Sequence, residues 1–115
     1  MMIDKASDRY RAQLATGIVA FALGCDAKDV EQGERGTRAV STMRQLAMYL
    51  TYTAFEMSLS RCAAAFARDR STVAHACHAV EDRRDDKHFD CWIDGLETGL
   101  KALAPFAPDQ SGALV

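Results

Sequence analysis

A chain of 115 residues has room for one domain and one hydrophobic core, and an apolar share of 49% excludes wholesale disorder. No apolar run approaches the roughly 20 residues that span a bilayer, and an N-terminus carrying Asp4 and Asp8 lacks the layout of a secretory signal, so a cytoplasmic protein is expected. The net charge of −2 conceals an asymmetry, because between Arg35 and Arg84 eight arginines stand against four acidic residues while the flanks are acidic.

The first hundred residues contain no proline and are rich in alanine, which favours helix throughout. From about Asp4 to Leu23, the helical spacing of Tyr10, Leu14, Ile18 and Phe21 predicts an amphipathic helix that packs through these side chains, with Gly24 as its C-terminal cap. Asp26 is placed to cap a short helix through about Glu31, and Gly33 to Arg38 reads as a basic, glycine-punctuated loop. A long helix is expected to open at Ser41 or Thr42. Its apolar stripe is Val40, Met43, Leu46, Ala47, Leu50 and Ala54, which leaves Arg44, Gln45 and Tyr52 outside.

Ser58 can cap the next helix, whose Leu59, Cys62, Ala63 and Phe66 point inward. Arg68-Asp69-Arg70 reads as a turn, followed by a helix from about Ser71. There Val73, Ala76, Cys77 and Val80 recur at i, i+3, i+4 and i+7 and face the core, opposite Arg70, Ser71, Ala74, His75 and His78. A last helix, from about Asp86 to Leu103, packs through Phe89, Trp92, Ile93, Leu96, Leu100 and Leu103. The expectation is an all-α domain of five to six helices over residues 1–104 and a flexible tail over 105–115. The pair 59–67 and 71–84, with its short link, has helix-turn-helix dimensions.

No standard motif for chemistry is present. The four cysteines form no C-x-x-C pair and read as buried free thiols, and the histidine and cysteine spacings match no zinc finger. Neither G-x-S-x-G nor H-E-x-x-H occurs, so no enzyme, cofactor or metal is expected.

Two stretches carry a resemblance. Arg44-Gln45-Leu46-Ala47-Met48-Tyr49-Leu50 is similar to an R-Q-x-A-M-Y-L helix, and Asp69-Arg70-Ser71-Thr72-Val73-Ala74-His75-Ala76 to a D-H-[ST]-T-V-x-H-A signature. Both belong, in this order, to the C-terminal domain of the bacterial replication initiator DnaA, and the resemblance covers roughly residues 10–103. It implies a compact, Trp-repressor-like helical domain that binds double-stranded DNA, with the helix from Ser71 in the major groove. On this reading Ser71 and Thr72 meet a phosphate or base edge, or serve as an ordinary N-cap. Asp69 accepts from a base or orients the turn. His75 stands near the DNA backbone or is a partly buried structural histidine. Arg44 and Gln45 fall at positions for backbone contact. Arg35 or Arg38 supplies an arm for the minor groove, and Tyr52, Ser60 and Arg68 complete the implied DNA-binding set.

The departures from the family pattern are as informative. Arg70 replaces the histidine of the signature and can bond guanine O6 and N7, or simply a phosphate, so a target other than the initiator's own box is expected. Thr42-Met43 stands where Arg-Pro is usual, Tyr52 where a basic residue is, and Ser60 where a proline follows Ser58-Leu59. The turn before Asp69 is one residue shorter than the pattern. There is no G-x-x-x-x-G-K-[ST] loop and no room for an ATPase domain, which suits a stand-alone transcription regulator. Small regulators of this kind occur among gene-transfer-agent activators, and the resemblance extends to partnership with RNA polymerase or a sigma-like protein. Two other roles stay open: a competitor at origin boxes, and an adaptor using Met48, Tyr49, Tyr52, Phe106 or Leu114 as a protein-binding surface, with Tyr49 better suited to packing in the fold and the tail to disorder.

Overall fold

The computed structural model describes residues 5–25 and 38–106, which form an all-helical domain. Five helices follow one another: α1 (Lys5–Leu23), α2 (Arg38–Ala54), α3 (Leu59–Phe66), α4 (Arg70–Arg83) and α5 (Lys87–Leu103), with a single 3-10 turn at Ala104–Phe106. The region expected to hold the short helix capped by Asp26, and most of the basic loop including Arg35, lies outside the described residues.

Helix α2 is the hub, and α1, α3, α4 and α5 all pack on it. The expected stripe of Val40, Met43, Leu46, Ala47, Leu50 and Ala54 is buried, but so are Met48, Tyr49 and Thr51, which puts apolar contacts nearly all round the helix. The Thr51 hydroxyl donates to the Ala47 carbonyl at 2.7 Å, so its burial leaves no orphaned polar group. Helix α2 begins at Arg38, earlier than expected, and Ser41 and Thr42 sit inside it rather than capping it.

Helix α1 packs through a different face from the one its large residues suggest. Ala12, Ala15, Thr16, Val19 and Ala20 are buried, whereas Tyr10 is 53% exposed and Phe21 88%. Leu14 also reaches solvent, and only Ile18 of the four expected residues leans on the core. A face of small side chains lets α1 lie close to α2, which brings more backbone surface into contact than a face of aromatic rings would. Gly24 (φ +71°) ends the helix as expected, with Cys25 N–H bonded to the Ala20 carbonyl at 2.8 Å.

Helix α3 opens on Ser58, whose hydroxyl accepts from the Arg61 N–H at 3.2 Å, and buries Cys62 and Ala63. It closes on Ala67 in the left-handed region (φ 55°), with Arg68 N–H returning to the Ala63 carbonyl at 2.9 Å. That backbone position favours glycine, and Ala67 holds it so that the chain can reverse within three residues. Helix α4 buries the four residues its periodicity singles out: Val73, Ala76, Cys77 and Val80. Helix α5 is capped by Asp86, which accepts from His88 and Phe89 N–H groups, and it buries Ile93 and Leu100 with Phe89, Trp92 and Leu96 packed beside them. Leu103, expected in the core, is exposed and lines an open hollow with the solvent-facing Tyr10 and Leu14 and with Phe55.

All four cysteines are free, as expected, but only Cys62 and Cys77 are buried; Cys25 is half-buried and Cys91 is exposed on α5. Burial pushes the thiols of Cys62 and Cys77 up to about 12 and about 11, so both are inert fillers of the core.

Candidate nucleic-acid interface

Helices α3 and α4 meet through Ala67, Arg68 and Asp69, and this tight junction decides what the start of α4 presents. Asp69 occupies the N-cap position (φ −70°, ψ 149°), its carbonyl accepting from Thr72 and Val73 N–H groups. Its carboxylate makes no capping hydrogen bond and is exposed. Ser71 and Thr72 are therefore not the caps; they sit in the first turn of α4 behind Arg70, with all three side chains in solvent. His75, one turn further, is exposed rather than a buried structural histidine, and His78 extends the same face. Cys77 points into the core and away from both histidines.

Arg68, Asp69 and Thr72 line an open hollow floored by Ala63, Ala64 and Ala67. The alanines leave room between the two helices for a polar chain or backbone to approach. Ser60, near the start of α3, and Tyr52, near the end of α2, also reach solvent.

Arg44 and Gln45 lie half-buried on α2. One guanidinium nitrogen of Arg44, Nη2, is buried and has no hydrogen-bond partner among the described residues. The group is held below its ordinary pKa, first by burial and then by the charge of Arg68. Two cations drawn near each other, one with a buried unpaired donor, form a locus that an anion would stabilise. Arg38, the first residue of α2, is exposed, and Arg35 lies outside the described residues.

The other arginines of the basic middle are used differently. Arg61 makes a two-pronged pair with Asp8, at 3.0 Å from Nε and 2.6 Å from Nη2, and so ties α3 to α1. Arg84 pairs with Asp90, stands 3.7 Å from Asp94 and 3.9 Å from Glu97, and donates to the Tyr49 hydroxyl at 2.9 Å. Arg83 lies over the Phe89 ring, 4.1 Å from its centre. Among the described residues, Arg38, Arg44, Arg68 and Arg70 are the arginines of the basic middle left for an outside partner. Met48, expected on the adaptor surface, is a core residue and offers no surface, while Tyr49 packs in the fold as expected.

Tyr49, Glu81 and Arg84 are the residues that sequence reasoning missed. The Tyr49 hydroxyl donates to Glu81 Oε1 at 2.7 Å, so the far end of α4 is fastened to α2 while its near end stays open. The tyrosine of the R-Q-x-A-M-Y-L stretch was a visible signal; its partners, more than thirty positions away, carried none.

A short turn, an inward apolar stripe and a solvent-facing first turn of the second helix define a helix-turn-helix domain. The family model for the bacterial DnaA protein helix-turn-helix matches residues 15–80, and the chain belongs to that family. The chromosomal replication initiator protein DnaA of Thermodesulfovibrio yellowstonii is 33% identical over 86 residues, covering 73% of this chain and 19% of that protein. Two solved structures superpose over 84% of this chain and 30% of theirs. One is a crystal structure of a DNA replication initiation factor (TM-score 0.73, 28% identity) and the other is replication initiator DnaA bound to AMPPCP and single-stranded DNA (TM-score 0.72, 26% identity). The chain thus spans about a fifth of the curated relative's length and under a third of either structure's.

Proposed function

We propose that the domain binds a specific site on double-stranded DNA, with α4 in the major groove, and that this binding serves transcriptional control. The observation that carries the reading is the exposed first turn of α4, where Arg70, Ser71 and Thr72 stand together in solvent behind an Asp69 carboxylate free of capping duty. A helix N-terminus of this kind combines unpaired N–H groups and a positive dipole end with side chains short enough for close approach.

Three groups of contacts follow. Arg70, Asp69 and Ser71 read base edges, Arg70 seeking a guanine. Arg44, Gln45, Arg68, Thr72, His75, Ser60 and Tyr52 hold phosphates. Arg38 or Arg35 supplies the minor-groove arm. If about five phosphates are neutralised by this surface, log K falls against log salt with a slope of roughly −4 to −5. The domain itself carries out no catalysis on this reading. Control of transcription gives it a second partner, RNA polymerase or a sigma-like protein that contacts it.

Site selection from a random duplex pool, followed by a genome-wide binding map, tests the reading. The expected result is a consensus with a guanine at the Arg70 position, occupied at promoters. Recovery of the unaltered initiator box, occupied at the origin, would replace regulation by a replication role. Absence of duplex binding even at low salt would leave an adaptor.

A further inference from the structure

Between the end of α3 and the start of α4 the helix-turn-helix holds an open hollow of about 480 Å³, lined by Ala63, Ala64, Ala67, Arg68, Asp69 and Thr72. Ala64 and Ala67 are exposed, and Ala63 is buried beneath them. The solvent side of a helix ordinarily carries charged and polar side chains, whereas here three methyl groups leave the backbone bare. A cavity of about 150 Å³ takes a benzene ring, so this hollow has room for a deoxyribose and its phosphate.

The polar groups of the lining suit a nucleic-acid backbone. Arg68 holds its guanidinium in solvent, and Thr72 brings a hydroxyl on the first turn of α4. Both side chains bond phosphate oxygens. Arg44 stands near enough to feel the charge of Arg68, so a second cation backs the first. Asp69 is the one acid of the lining. Its carboxylate, free of capping duty, repels an anion at its own edge and leaves Arg68 and Thr72 as the partners of a phosphate. Thr72 also belongs to the exposed turn that begins α4, so an occupant of the hollow is continuous with whatever that turn reads.

We infer that the hollow seats one strand of the duplex, with a phosphate on Arg68 and Thr72 and its deoxyribose against the alanine methyls. Ala64 and Ala67 are then binding positions by virtue of being small, and bulk at either holds α4 out of the groove. The inference rests on the reading of α4 as the helix that enters DNA, and it adds a steric requirement on α3 that charge alone does not impose.

The test uses the full chain and the fluorescein-labelled duplex recovered by site selection. Ala64→Leu places a good helix former at an exposed position, so thermal melting is expected to stay unchanged while duplex affinity falls roughly tenfold or more. Ala64→Ser and, on the exposed face of α5, Ala102→Leu are expected to bind as the parent does. A second measurement needs no change at Ala64: each phosphate of the duplex is replaced in turn by a neutral methylphosphonate. One linkage is expected to cost the parent roughly tenfold and to cost Arg68→Ala nothing. Full affinity in Ala64→Leu, or a methylphosphonate pattern that Arg68→Ala leaves unchanged, would overturn the seat while the DNA reading stands. No duplex binding by the parent even at low salt would remove the DNA reading and the seat together. A fluorescein-labelled octaglutamate that binds the duplex-saturated parent and is lost in Ala64→Leu would assign the hollow to an acidic peptide instead.

Discussion

Tyr49 of α2 and Glu81 of α4, 32 positions apart in the chain, are joined by a 2.7 Å hydrogen bond. Arg84, on the same hydroxyl at 2.9 Å, carries the connection on to Asp90 of α5. The helix that bears Arg44 and the helix that bears Arg70 are thereby held in one register. Tyr49→Phe keeps the buried ring and removes only this link, so stability is expected to fall by about 1–2 kcal/mol in urea denaturation. Hydrogen exchange should show the C-terminal turns of α4 losing protection first. An unchanged midpoint with unchanged protection would mean that the link does not hold α4.

The same tyrosine contributes to alkaline sensitivity. Burial, helped by the bond to Glu81, raises its phenol from 10.0 to about 12, and burial raises the Cys62 and Cys77 thiols from 9.0 to about 12 and about 11. Each group holds its proton more tightly folded than unfolded. The stability this confers is complete below the unfolded value and is lost as pH climbs through the folded one. Denaturation midpoints are expected to decline from pH 9 towards 12, with the thiols acting first. Cys62→Ala/Cys77→Ala should start lower and decline less between pH 9 and 10.

The Asp8–Arg61 pair fastens α1 to the first helix of the helix-turn-helix. Asp8 is buried while the Arg61 side chain is 32% exposed, so removing the acid leaves a cation that water reaches in part. Asp8→Ala is expected to cost about 2 kcal/mol, less than the 3–5 of a fully buried pair. Denaturant titration at low and high salt measures it, and a partly buried pair should keep most of its effect in high salt.

Two aspartates at N-cap positions should behave differently. Asp86 accepts from two backbone N–H groups, at 2.9 and 3.2 Å, so Asp86→Ala is expected to cost about 1 kcal/mol. Asp69 accepts none with its side chain, so Asp69→Ala should cost a few tenths of a kcal/mol at most and alter DNA binding instead. Thermal melts and gel shifts on the two variants separate these effects. Equal destabilisation would return Asp69 to a capping role.

On DNA, Arg70→Ala should relax discrimination at one base pair by about 1–3 kcal/mol. Arg44→Ala should weaken all duplexes alike and make the salt slope shallower by about 1. Competition binding against single-base variants of the selected site, repeated over a salt series, distinguishes them. Identical behaviour of the two variants would erase the division between reading and anchoring.

The apolar stripes of α2 and α4, the Ser58 cap and the short turn before Asp69 were legible in the sequence. Each depends on residues a few positions apart, and local spacing alone determines which side chains share a face. The first-turn residues of the candidate interface were legible for the same reason. The α1 face was misread, because a helix rich in alanine offers several stripes and the largest residues were not those that fit against α2. The arginines of the basic middle looked equivalent for a similar reason: charge can be counted along a chain, but its partners cannot.

The helix-turn-helix is where both halves meet. By itself the sequence determined the five described helices, the turn and the outward placement of Arg70, Ser71 and Thr72, since periodicity and capping act within a few residues. Tertiary structure alone decided which arginines were spent inside the fold, Arg61 on Asp8 and Arg84 on Tyr49 and Asp90, and which were left to face a partner. It also turned Tyr10, Leu14 and Phe21 outward, because close packing is settled by the shapes of two surfaces together.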